Sequence, residues 1–125
     1  MEDKLKANAD LVVQQMSPTC GFPFGYDAAS VKWLDGFIER QRARGLNDQK
    51  AKGLMNTLGS YLGEAVIHCY GGKWAQVDGS WCIRFDEKNA VFPFAKVSKQ
   101  LANGEADSIS RFFATIPLVF KLKPE

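Results

Sequence analysis

Histidine is almost missing from this chain. Of 125 residues only His68 carries an imidazole, which excludes a relay of two histidines and a histidine-rich metal site. Cysteine is scarce too: Cys20, Cys69 and Cys82 are an odd number with no CxxC spacing. A disulfide framework would leave one thiol over, so a reducing compartment in which all three stay as thiols is expected. No sign of charge predominates, since 16 Lys and Arg against 14 Asp and Glu leave +2. The basic residues are spread along the chain, and the basic stripe of a nucleic-acid binder is lacking. Long apolar runs are lacking as well. The longest, Phe112 to Phe120, is broken by Thr115 and Pro117 and falls short of the roughly 20 residues that span a bilayer. Met1 to Met16 carries Glu2, Asp3, Lys4, Lys6 and Asp10, so it has no apolar core of a secretory signal. A cytoplasmic protein without a membrane partner is the expectation. Phosphate loops are missing too, because Gly71-Gly72 follows a helical pattern and precedes a strand, the reverse of the order such loops need.

What the chain does have is bulk. Nine Phe, three Trp and three Tyr within a 46% hydrophobic composition supply a core that needs no disulfide or metal staple. With no repeat, linker or low-complexity tract, residues 1–125 read as one domain. Residues 1–26 form an N-terminal helix and an aromatic loop, and residues 27–125 form the core.

Leu5 to Met16 has helical spacing, and Ser17-Pro18 is expected to end that helix. Phe22, Phe24 and Tyr26 lie in a Gly/Pro-rich loop; anchoring to the core is the preferred role over an exposed recognition surface. Asp27 is a good N-cap for a second helix running to about Arg44, with Val31, Leu34, Phe37, Ile38 and Gln41 on one face. Arg40, Arg42 and Arg44 crowd its end, where they suit the helix dipole. Gly45 stops it, and Asn47 or Asp48 caps the next.

The third helix, closing at Gly71-Gly72, is the longest. Leu54, Met55, Leu58, Leu62, Ala65, Val66 and Cys69 form a continuous apolar stripe expected to carry a hairpin. Gly59, Gly63 and Ile67 lie off that stripe. Glycine costs about 1 kcal/mol against alanine inside a helix, so these positions predict close approach of another backbone, that of the second helix. Asp78-Gly79 predicts a two-residue hairpin turn. The register then pairs Val77 with Ser80, Ala75 with Cys82, Trp74 with Ile83 and Lys73 with Arg84, with the Trp face inward and the Lys73/Arg84 face toward solvent. Ala90-Val91-Phe92 is a short third strand. Pro93 opens a helix or marks an edge, Phe94, Val97 and Leu101 form a helical stripe, and Asp107 or Ser108 caps a last helix. After Pro117, Leu118 to Lys123 alternate as in a half-buried strand or extended tail. The fold class is α+β, about five helices around a small antiparallel sheet of three or four strands.

Leu58-Gly59-Ser60-Tyr61-Leu62-Gly63-Glu64, Gly71-Gly72-Lys73-Trp74, Phe92-Pro93-Phe94-Ala95-Lys96-Val97 and Asn103-Gly104-Glu105-Ala106-Asp107-Ser108-Ile109 are the distinctive blocks. Together, over Leu58 to Phe112, they resemble an uncharacterised family of small bacterial domains of unknown function. The resemblance covers a little under half of the chain and implies a fold, but no activity, cofactor or catalytic residue.

The candidate site lies on one flank of the third helix. Glu64 stands one turn before His68, and Thr57 and Tyr61 share that side. Tyr61, Glu64 and His68, with Arg84 of the hairpin, are the candidate binding residues, and an imidazole so placed has acid or base chemistry available to it. A structural role, with rings in the core and polar tips at its edge, is preferred. His68 and Cys69 are neighbours pointing roughly 100° apart, so no metal ligand set is expected; the cysteines read as small hydrophobes, with Cys20 left open as a nucleophile. Lys96 and Lys99 near Arg111 read as a solvated face. The function expected is a non-catalytic cytoplasmic protein-binding module, for instance an accessory or immunity-type protein that neutralises a toxin partner. No cofactor is expected and self-association is left open. The alternative is a small enzyme or ligand-binding domain beside Tyr61, Glu64 and His68, and a third reading, nucleic acid at Arg40, Arg42, Arg44 and the downstream lysines, is ranked last.

Overall fold

The computed structural model describes residues 2–120 and places five helices around a three-stranded antiparallel sheet. Helix α1 runs Glu2–Cys20, α2 Ala28–Arg44 and α3 Asp48–Tyr70. Strands β1 (Lys73–Val77), β2 (Ser80–Arg84) and β3 (Ala90–Val91) form a sheet in that order. Helix α4 (Pro93–Asn103), a 3-10 turn at Gly104–Asp107 and helix α5 (Ile109–Val119) complete it. This is the expected α+β domain. No helix among the described residues is long and apolar enough to cross a membrane.

Helix α3 is the axis, with α1 and α4 as its principal helical neighbours. Its middle is buried without a break from Leu58 to Val66. Asn47 caps it, the side-chain oxygen accepting from the Lys50 N–H at 2.7 Å, and Asp27 caps α2 through the Ser30 N–H at 2.8 Å. Both satisfy amides that the first turn of a helix leaves free.

Two expectations about α3 fail together. The second helix does not lie against the glycines; aromatic rings do. A Cβ built on Gly59 would meet Phe94 at 2.3 Å, and one on Gly63 would meet Trp74 at 2.1 Å. The small-residue stripe is thus a bed for flat side chains, and Trp74 lies on it rather than on the Leu/Met/Val stripe. A helix surface stripped of Cβ atoms does signal close approach, but it does not specify which group approaches.

The hairpin has the expected register, from Lys73 opposite Arg84 to Val77 opposite Ser80. Asp78 and Gly79 both take positive φ, 51° and 80°, as the favoured two-residue turn requires. Trp74 and Ile83 point inward and are buried, whereas Lys73 and Arg84 are exposed. Cys82, on the Lys73 side, is fully buried all the same, so that face is only partly open to solvent.

Both interior prolines contradict the expected helix ends. Helix α1 continues through Pro18 to Cys20. The Ser17 hydroxyl donates to the Val13 carbonyl at 2.6 Å and Thr19 to that of Met16 at 3.0 Å, supplying hydrogen bonds in the turn that Pro18 deprives of an N–H. Helix α5 continues through Pro117, and the Phe120 N–H bonds the Ile116 carbonyl at 3.1 Å. Leu118 and Val119 are therefore helical and exposed, not a strand. The rest of that expected strand, from residue 121 on, lies outside the described residues.

Candidate functional site

The flank of α3 that carries the candidate residues does gather a polar cluster, but most of it is sealed. Tyr61 has no exposed surface, and its hydroxyl donates to the Gly25 carbonyl. Glu64 is 5% exposed; its Oε2 accepts from the indole N–H of Trp74 at 2.7 Å. Its other oxygen, Oε1, stands 4.0 Å from His68 Nε2. Only His68 reaches solvent, with half of its side chain exposed. Arg84 does not join the group: it is exposed, and its Nη1 points to the Glu87 carbonyl at 3.5 Å. Five hollows on the surface of the described residues are lined by other side chains than Tyr61, Glu64 and His68.

The residue that completes the cluster is Tyr26, from the aromatic loop. Its ring stacks on Tyr61 at 5.3 Å and on His68 at 4.5 Å, the latter with planes only 12° apart. Its hydroxyl donates to Asp10 of α1 at 2.7 Å. The loop is pinned on both sides, as expected, with Phe24 buried against Trp33 and Tyr61. Burial pushes the Tyr61 phenol far up, and the Asp27 charge adds to it. Burial raises Tyr26 as well, followed by the bond to Asp10 and the charges of Asp10 and Glu64. Neither phenol can serve as a base near neutrality. Burial also raises the Cys69 and Cys82 thiols, which therefore stay protonated and unreactive. Cys20 is half-buried, with its sulfur 3.0 Å from the Phe22 carbonyl. Among the described residues no three His, Cys, Asp or Glu side chains come together in a way that could hold a metal ion.

A second polar cluster lies outside the sequence expectations. Asp35 on α2 is 8% exposed. It accepts from Gln100 Nε2 at 2.9 Å, from the Ser110 N–H at 3.1 Å and from the Ser108 hydroxyl. Gln100, fully buried, also donates to Glu39 at 3.0 Å and accepts from the Ile109 N–H at 2.9 Å. Glu39 pairs with Arg42 at 2.9 Å, and Arg42 Nε donates to the Leu101 carbonyl at 3.3 Å. One carboxylate of α2 thus caps α5 and, through Gln100, fixes α4. A signal existed in the sequence: Asp35 falls between Leu34 and Ile38 on the apolar face, where an acid is buried only if it has partners. Of the basic helix end, Arg42 is structural, Arg40 lies 5.1 Å from the Trp33 ring and Arg44 is exposed. Lys96 covers the Phe112 ring at 5.3 Å.

The surface feature with the chemistry of a binding site is elsewhere. A groove of about 430 Å³ opens between α1, α3, the start of β2 and the start of α4. Leu5, Met55, Trp81, Phe92 and Phe94 provide its apolar lining, and Lys4, Asn8, Asn56, Ser60 and Ser80 its polar one. That size and mixture are those of a pocket that buries an apolar group and orients it by a few polar contacts. The rings beneath it are held by α3, since Phe94 sits on Gly59 and Trp81 meets Trp74 edge-on at 6.2 Å. Periodicity places these side chains on separate elements and cannot show that they converge. Comparison with protein-family models, curated proteins and solved structures returned no match.

Proposed function

We propose that this chain is a non-catalytic binding module that holds a partner protein through the groove between α1, α3, β2 and α4. The observation that carries the reading is a contrast. Two of the three candidates on α3, Tyr61 and Glu64, are engaged inside the fold, whereas Met55, Trp81, Phe92 and Phe94 line an open hollow. Aromatic residues and Met are the types enriched at protein interfaces. An accessory or immunity-type protein of the cytoplasm is one biological form of this reading.

The competing reading, a ligand or reaction site beside Tyr61, Glu64 and His68, draws support from His68 alone, which is half exposed while its ring face stacks on Tyr26. It is weaker, because an imidazole whose nearest carboxylate already holds an indole N–H has one polar partner, at 4.0 Å.

The test uses the intact chain as bait in native lysate beside Ala95→Trp, Ser80→Trp and His68→Ala. Ala95 and Ser80 are exposed groove residues, so an indole there fills the hollow without entering the core. A partner recovered at near one-to-one ratio by wild type and His68→Ala, and reduced at least tenfold by both Trp variants, is the expected result. Equal recovery by all four, or loss confined to His68→Ala, would refute the reading.

A further inference from the structure

The groove has a sign as well as a shape, and the sign bears on the nature of its occupant only if the groove is the binding surface proposed above. Of the residues lining it, one carries a formal charge, Lys4, and none is Asp or Glu. Glu2 and Asp3 precede Lys4 in α1 but do not line the hollow. The remaining polar side chains, Asn8, Asn56, Ser60 and Ser80, are neutral; the Ser60 hydroxyl donates to the Asn56 carbonyl at 2.8 Å, and the other three can donate to or accept from an occupant.

The first turn of α4 reinforces this. Phe92 occupies the N-cap position, where it offers no side-chain acceptor, and Pro93 follows with no N–H of its own. Among the described residues, the N–H groups of Phe94 and Ala95 have no hydrogen-bond partner, while that of Lys96 returns to the Phe92 carbonyl at 3.2 Å. Phe92, Phe94 and Ala95 all line the groove. Helix starts with free amides carry a partial positive charge and favour anions. An ammonium, neutral polar side chains and the residues of an uncapped helix start therefore line one apolar hollow, with no carboxylate among them.

We infer that the occupant is a segment of the partner in which an acidic side chain stands beside a large apolar one. The apolar group enters between Met55, Trp81 and Phe94, and the carboxylate meets Lys4 and the start of α4. A cationic segment meets the like charge of Lys4 and the positive end of α4, which opposes its binding, and a purely apolar one gains nothing from either.

Three probes with the same apolar body separate charge from shape: 4-phenylbutyrate, 4-phenylbutanol and 4-phenylbutylamine. Each is titrated into the 15N-labelled 125-residue chain, and amide shifts are followed at Ser80, Phe94 and Ala95 with the Trp81 indole signal. The carboxylate is expected to bind at least fivefold tighter than the alcohol, with the amine weakest. Lys4→Glu should remove that order, and Ala95→Trp should abolish binding of all three. If the alcohol or the amine binds at these signals as tightly as the carboxylate, the charge inference falls and the groove reading stands. If none of the probes moves these signals, both fall.

Discussion

Replacing Gly63 by alanine places a methyl carbon inside the Trp74 ring. The added Cβ would lie 2.1 Å from Cη2 and 2.4 Å from Cζ2, against the roughly 3.5–4.0 Å at which carbons rest. The ring must move by about 1.5 Å, and it has little room. Phe94 stands 6.0 Å away centre to centre and Trp81 6.2 Å. The movement also takes the indole N–H off Glu64, whose carboxylate is 5% exposed and loses its 2.7 Å donor. Overpacking costs about 1–3 kcal/mol and the orphaned acceptor about another 1–3 kcal/mol. The helix propensity of alanine returns about 1 kcal/mol, leaving a net loss near 3 kcal/mol. Gly53 in the same helix is the control, because nothing lies within 4 Å of its built Cβ. Gly53→Ala should gain up to about 1 kcal/mol. The two variants should thus differ by about 4 kcal/mol, roughly 2 M in urea midpoint at an m-value near 2 kcal/mol/M. Urea titrations followed by tryptophan fluorescence and far-ultraviolet circular dichroism measure this. Combining Gly63→Ala with Trp74→Phe should cost at least about 1 kcal/mol less than the sum of the single changes, since both act on one contact. A Gly63→Ala protein as stable as Gly53→Ala would refute the seating of Trp74 on α3.

Three further outcomes are expected. Asp35→Ala should destabilise by about 2–4 kcal/mol, because the buried Gln100 loses an acceptor and α5 a cap, while Ser108→Ala should cost about 1 kcal/mol; thermal melts compare the two. All three tyrosines, Tyr26, Tyr61 and Tyr70, are shifted upward by burial, and ordinary tyrosine ionises near pH 10. A raised folded pKa means stability that is complete below pH 10 and lost as pH rises toward the folded value, where ionisation and unfolding should coincide. The native chain should therefore show little tyrosinate absorbance at pH 10.5 where the urea-unfolded chain shows strong absorbance, and equal absorbance would contradict the burial. Leu118→Lys should change stability by no more than about 0.5 kcal/mol in the same melts, since that side chain is 78% exposed on a helix.

The parts of the fold that were legible in the sequence depend on local chemistry. Asp78-Gly79 settles a turn and with it the whole register of β1 and β2, because the side-chain period of two leaves no freedom once the turn is placed. Asp27, Asn47 and Ser108 announce helix starts for the same local reason. What was missed depends on partners remote in sequence. Pro18 and Pro117 read as breaks, yet the last turn of a helix can do without one N–H, a tolerance set by hydroxyls and packing nearby. Gly59 and Gly63 signalled a close approach, yet a ring 11 residues on from Gly63 and another 35 on from Gly59 are what approach. In the candidate site, the helical spacing of Tyr61, Glu64 and His68 was right. Trp74 and Tyr26, which decide that two of the three are sealed, come from other elements.

Helix α1 offers a last consequence. Its main neighbour is α3, held by Leu5, Ala9 and Val12 and by the Asp10 bond to Tyr26. It is also one wall of the groove, through Lys4, Leu5 and Asn8. A helix fastened mainly along one side can detach while the rest stays folded, as a separate cooperative unit. Whatever fills the groove must then hold that wall in place, so occupancy and the docking of α1 are thermodynamically linked quantities. Hydrogen exchange in α1 amides becomes a reporter of binding at a distance from the occupant itself, slowing as the groove fills.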